Sequence, residues 1–235
     1  MKTILFLLVL FFANVIQTIT GFAGNLLAMP FSISLISYNS ARVVINIFTL
    51  ISCGTIVCKN YKSIRFDILF KSLVVLCIGM LFSFILLNQI DLSILKVVYG
   101  ILIILIASNK MIFHISIPSN ELLNIIIVFI AGIIHELFLS GGALLVVYYS
   151  SVLKDKDEFR ATIASVWVIL DSLLVIEHFF EHLYTSINIT YIGLSIIPLI
   201  LSYFVGKKLY SKVDTKSFMN ITYILLLLSG IFILI

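Results

Sequence analysis

The sequence predicts an all-α polytopic membrane protein of about ten helical segments, arranged as two inverted five-segment repeats. Three observations carry that prediction. Of the 235 residues 62% are hydrophobic and only 11% are charged, and the mean hydropathy is +1.23, which leaves too little polar surface to cover a water-soluble globule. Polar punctuation cuts the chain into apolar runs, most of them near the roughly 20 residues that a helix needs to cross a bilayer. Two glycine-bearing stretches, Thr20 to Pro30 and Leu139 to Tyr148, sit at matching places in the two halves, each between a long apolar run and a short one.

Taken in order, the first run, Ile4 to Ile19, follows Met1-Lys2-Thr3 and has the outline of a signal peptide. Ala13-Asn14-Val15-Ile16 does not supply the small-residue cleavage pattern, so a retained first helix is expected. The next runs are Asn25 to Ile36, Ala41 to Cys58, Phe66 to Leu87 and Leu92 to Phe113. The second half repeats the series with Leu122 to Leu139, Gly142 to Val152, Glu158 to Phe180, Ile189 to Leu209 and Lys216 to Ile235. The second and seventh runs have the length of half-helices, and glycines stand at the entrance of each. A helix broken inside the membrane is written this way. A tilted or interfacial helix is the alternative for so short a run, and Gly21 and Gly24 also suit close helix packing. The three cysteines, Cys53, Cys58 and Cys77, show neither a disulfide framework nor metal spacing and are given packing roles.

Charge sets the orientation. Counting loops between successive runs, the odd-numbered loops and their edges hold Lys59, Lys62, Arg65, Lys71, Lys110, Lys154, Lys156, Arg160, Lys207, Lys208, Lys212 and Lys216, twelve of the fifteen basic residues, against Lys2, Arg42 and Lys96 on the other side. Positive loops stay inside, so both termini are expected outside and the loop holding Glu177, His178, Glu181 and His182 is external. The net charge of +4 is explained by this asymmetry, and no basic run interleaved with aromatics offers a nucleic-acid surface.

A shift of 118 residues places Gly24 on Gly142, Leu26 and Leu27 on Leu144 and Leu145, and Arg42 on Arg160; a shift of 123 places Asp91 on Asp214. The chain thus divides into an N-terminal repeat, 1–117, and a C-terminal repeat, 118–235. With five segments per half, an odd number, the halves must face opposite ways.

The chemistry is expected on one face of the eighth run and its first-half counterpart. Positions i, i+4, i+7 and i+11 fall on one side of a helix with about 3.6 residues per turn. In the second half they are Arg160, Ala164, Trp167 and Asp171; in the first they are Arg42, Asn46, Thr49 and Cys53. Lipid would leave such groups unsatisfied, so both faces are expected to line a shared interior. Asp171 lies deep in its run and is read either as a proton-coupling group or as a hydrogen-bonding partner, and His135 and Glu136 present the same choice. Helix N-termini at the two breaks, near Gly24-Asn25 and Gly141-Gly142, offer unpaired N–H groups and a positive dipole end to an anion. Thr20, Ser140 and Asn46 add neutral donors. The expected substrate site is therefore Thr20, Gly21, Gly24, Asn25, Asn46, Ser140, Gly141, Gly142, Arg160 and Trp167, shaped for a compact oxyanion.

A competing motif is His178-Phe179-Phe180-Glu181-His182, the H-x-x-E-H pattern of inverted zinc peptidases. It predicts a membrane-embedded metalloenzyme using His178, Glu181 and His182, but no third ligand follows in Tyr184 to Thr190, and catalysis is the lesser reading.

Thr20-Gly21-Phe22-Ala23-Gly24 with Pro30, then Ala41 to Asn46, then Ser140-Gly141-Gly142 to Tyr148 and Lys156 to Ala164 together resemble the sulfite exporter and sulfonate permease family of the TauE/SafE type. The run Glu158-Phe159-Arg160-Ala161-Thr162 carries the nearest likeness, while Ala23, Asn25, Ala143 and Leu144 replace residues the family often has as glycine or proline. The resemblance implies a multi-pass inner-membrane permease, not an enzyme, moving small, mostly sulfur-containing anions such as sulfite, thiosulfate or organosulfonates. Without a nucleotide-binding loop, transport is expected to be secondary and to need no cofactor. The expected partners are the anion and the lipid bilayer; oligomeric state, including a homodimer, is left open.

Overall fold

A computed structural model describes residues 1–86, 120–139 and 141–234, with isolated positions between 97 and 111. The expected fifth run, Leu92 to Phe113, falls mostly outside the described residues, as do Ser140, Asp91, Lys96 and Lys110. The described chain is helical throughout, with no strand among the described residues. The helices are α1 (Lys2–Thr20), α2 (Ala23–Leu35), α3 (Tyr38–Asn60), α4 (Phe66–Leu86), α5 (Glu121–Phe138), α6 (Gly142–Val152), α7 (Lys156–Phe180), α8 (Ser186–Tyr210) and α9 (Thr215–Leu234). A single 3-10 turn, Tyr61–Ser63, follows α3. Boundaries fall within three residues of those expected, because capping groups mark them: Ser37 accepts from Ser40 N–H before α3, Asp155 accepts from Asp157 and Glu158 before α7, and Thr185 accepts from Asn188 before α8.

Five of these helices are long and apolar enough to cross a membrane: Lys2–Thr20, Tyr38–Ser63, Phe66–Ser83, Lys156–Phe180 and Ser186–Tyr210. Helices α2 and α6, of 13 and 11 residues, are too short for that, as the sequence predicts. Polarity is inverted relative to a soluble protein. Leu8, Phe12, Phe70, Leu81, Ile197 and Phe204 stand exposed on the outer faces, whereas Gln17, Asn46, Thr49, His135, Glu136 and Asp171 are buried. Apolar side chains are at no disadvantage against lipid, so the polar groups gather where protein can pair them.

The packing brings α3 against α7 at the centre, α1 against α8 on one flank and α4 against α5 on the other. The two flanks are built differently. A Cβ on Gly79 of α4 would come within 2.2 Å of the Phe129 carbonyl and 3.2 Å of Gly132 Cα, so α4 and α5 approach backbone to backbone. On the other flank Asn14 Nδ2 donates to Ser202 Oγ at 2.7 Å, a hydrogen bond joining α1 to α8.

Candidate anion site at the two helix breaks

The first break follows α1. Gly21 adopts φ +84°, the left-handed region that glycine enters without strain, and its N–H closes the helix on the Gln17 carbonyl at 2.7 Å. The chain then turns into α2, and the donors at the new N-terminus are satisfied by α1 itself. Thr20 Oγ1 accepts from Phe22 N–H at 3.3 Å and Ala23 N–H at 3.1 Å, and Gln17 Oε1 accepts from Gly24 N–H at 2.7 Å. Gln17 Nε2 donates to the Gly21 carbonyl at 3.2 Å and meets Cys53 Sγ of α3 at 3.1 Å. Asn25 Oδ1 accepts from the Thr49 hydroxyl. Asn25, Gly24, Gln17 and Thr49 border a cavity of about 10 Å³, room for about one water. The expectation of unpaired N–H groups at Gly24 is thus corrected: the N–H of Gly24 and the two before it are capped from within.

The second break has the same course but not the same caps. Leu139 takes the left-handed position, φ +52°, with its N–H on the His135 carbonyl at 2.8 Å. Helix α6 begins at Gly142 with Gly141 as N-cap, which has no side chain to cap it, and among the described residues no other side chain is seen to accept from its first N–H groups. Gly141 is required by packing, since a Cβ there would lie 2.2 Å from the Ala131 carbonyl oxygen. Gly142 faces the first break: a Cβ would stand 3.1 Å from a Phe22 ring carbon and 3.3 Å from Trp167 Cζ2. The Trp167 ring stacks on His135, centroids 4.8 Å apart, and His135 Nε2 lies 3.2 Å from Asp171 Oδ1. Trp167 Nε1, both His135 ring nitrogens and both Asp171 oxygens are buried without an aligned hydrogen-bond partner among the described residues.

The polar stripes are placed as expected: Arg160, Ala164, Trp167 and Asp171 are buried on α7, and Arg42, Asn46, Thr49 and Cys53 on α3. The arginines have a different task from that expected. Arg160 Nε donates to the Thr18 carbonyl at 2.8 Å, and its guanidinium lies 4.0 Å from the Tyr210 ring centroid. Arg42 donates to the Glu136 carbonyl at 3.2 Å and pairs with the Glu136 carboxylate at 2.9 Å and Glu177 at 3.4 Å. Each guanidinium therefore reaches across to the end of a broken helix, where carbonyls lack intrahelical partners and the dipole is negative. Glu136 is consequently drawn to Arg42 and away from the pair formed by His135 and Asp171. Asn46 is also drawn elsewhere, its amide 3.4 Å from His178 Nδ1.

The metal motif does not assemble. Helix α7 ends at Phe180, Glu181 is its C-cap, and His182 turns to φ +57°, so the two histidines do not share the helical face that metal binding requires. Among the described residues no group of three or more His, Cys, Asp or Glu is placed to hold a metal ion.

Sequence reasoning missed Gln17, Phe22 and Tyr210 and gave Cys53 a packing role. The signal for two of them was present: a shift of 118 residues lays Gln17 on His135 and Cys53 on Asp171.

No curated protein and no solved structure matches the chain. The family model TauE, sulfite exporter TauE/SafE, matches residues 6–233, nearly the whole length. With apolar helices long enough to span a bilayer and two breaks meeting at a buried polar centre, the chain belongs to the sulfite exporter TauE/SafE family of membrane transporters.

Proposed function

We propose that this chain is a secondary permease for small sulfur-containing anions, with sulfite, thiosulfate and organosulfonates as the substrates to test, and that the anion sits at the N-terminus of α6. One observation carries the reading: the buried Trp167 indole N–H has no hydrogen-bond partner among the described residues and lies beside the start of that helix, where no described side chain is seen to cap it. An indole N–H can only donate, and a helix N-terminus presents N–H groups and a positive dipole end, so the site lacks an acceptor and suits a compact anion. Gly141, Gly142, Trp167 and the neighbouring Ser140 supply the binding side. Phe22 is the residue of the first break that meets Gly142; Thr20, Gly21, Gly24 and Asn25 shape the turn that holds it, and Arg160 and Asn46 hold the surrounding helices.

Ten segments in two inverted halves, 1–117 and 118–235, in the cell membrane with both termini outside, complete the reading. Its support is the recurrence of contacts at a spacing of 118 residues: Gln17 with Cys53 and His135 with Asp171, Arg42 on Glu136 and Arg160 on Thr18, Gly21 and Leu139 both left-handed. Two related halves around one site are the architecture of alternating access.

The test is uptake of sulfite, thiosulfate and methanesulfonate into proteoliposomes holding the purified protein. Saturable flux of at least one is the expected result. Folded protein that moves none of the three overturns the assignment.

A further inference from the structure

Asp171 and His135 are 0% and 1% exposed and touch at 3.2 Å, yet neither side chain has an aligned hydrogen bond to any described residue. The equivalent contact in the first half, Gln17 with Cys53 at 3.1 Å, joins an amide to a thiol. Two positions related by the same spacing therefore hold an acid and a base in one half and neither in the other.

The surroundings leave the pair to itself. On α3 the Cys53 thiol faces Asp171, while Arg42 on the same helix is taken up by Glu136 and Glu177. On α5 Glu136 is held by that arginine, and on α7 Arg160 is turned to the Thr18 carbonyl and Tyr210. Of the titratable groups on α4 and α6, Cys77 lines the groove with Glu136 and Glu177, and Tyr149 is hydrogen-bonded to Ser72. In so dry a place a net charge is costly, so a carboxylate and an imidazole sharing one proton, with no net charge, are the stable resting form. Trp167 connects this pair to the anion, its ring stacked on His135 and its edge against Gly142. A monovalent anion arriving at α6 brings one negative charge beside the pair, and one further proton restores neutrality. Asp171 Oδ2, the oxygen not turned to His135 and without a hydrogen-bond partner among the described residues, offers the place for it.

We propose that the His135–Asp171 pair is the coupling site of the transporter: it holds one proton when the site is empty, takes a second when a monovalent anion binds at α6, and releases it when the anion leaves. Anion and proton then cross together, without net charge. The inference rests on the permease reading above.

Its test uses the wild-type protein in proteoliposomes with methanesulfonate and thiosulfate, anions that do not themselves titrate near neutral pH. A pH indicator records proton movement, and labelled anion records accumulation under an imposed pH gradient and exchange without one. The expected result is one proton per methanesulfonate, and in Asp171→Asn a fall of tenfold or more in the ratio of gradient-driven accumulation to exchange. Wild-type flux with no proton movement overturns the coupling while leaving the permease intact, and so does an unchanged ratio in Asp171→Asn. Should that variant not fold, the wild-type proton count decides. Absence of all flux removes the permease reading and this inference with it.

Discussion

The two breaks share one backbone course and differ in what they do with their donors. After α1, the N–H groups of Phe22, Ala23 and Gly24 are each accepted by a side chain of α1, and the amide that caps Gly24 also binds Cys53. After α5, the place of that glutamine is held by a histidine turned to Asp171, and among the described residues no side chain is seen to cap α6. The lesson is that a broken membrane helix does not by itself make an anion site. The break must also leave its donors unspent, and among the described residues side-chain acceptors are seen only at the first.

Several substitutions sharpen or break that contrast. The largest effect is expected from Arg42→Ala, which strands the buried Glu136 carboxylate; losing one partner of such a pair costs about 3–5 kcal/mol, and a steep fall in thermal midpoint or in yield of monodisperse protein is the readout. Arg160→Ala has no buried carboxylate to strand among the described residues, and a comparable loss there would contradict the distinction between the two arginines. Next comes Gly141→Ala, whose methyl meets a backbone oxygen at 2.2 Å; overpacking of that kind costs about 1–3 kcal/mol. Gly24→Ala meets the Gln17 side chain at 2.6 Å, which has some room to move, so its midpoint should fall less. Trp167→Phe keeps an aromatic ring beside His135 but removes the donor with part of the indole, so an increase of about tenfold in KM, about 1.4 kcal/mol, is expected together with a modest fall in midpoint from the space left behind. An unchanged KM would take the anion away from α6. Thr20→Val, at the sealed break, should cost about 1 kcal/mol in stability through its lost cap and leave KM as it is. Finally, His182→Ala should change neither flux nor metal content, because His182 stands beyond the end of its helix.

Much of this was legible in the sequence. Composition and run length gave the helices, and the spacing of about 3.6 residues per turn put Arg160, Trp167 and Asp171 on one buried face. Glycine placement located both breaks. What could not be read was pairing across elements. That Gln17 would consume the N–H of Gly24 depends on α1 and α2 folding back on each other, and that Glu136 would choose Arg42 over its neighbour's partner depends on the reach of the Arg42 side chain from the start of α3 to the end of α5. A left-handed Leu139 was equally hidden, since leucine is not the residue that predicts such a turn.

The unlike flanks have a mechanical consequence. Where α4 meets α5, Gly79 and Gly132 present bare backbone to each other, and at that point the contact is one of backbone against backbone. Where α1 meets α8, sliding one helix along the other must part Asn14 from Ser202. One edge of the molecule is a bearing and the other carries a latch, so the two flanks do not resist sliding equally.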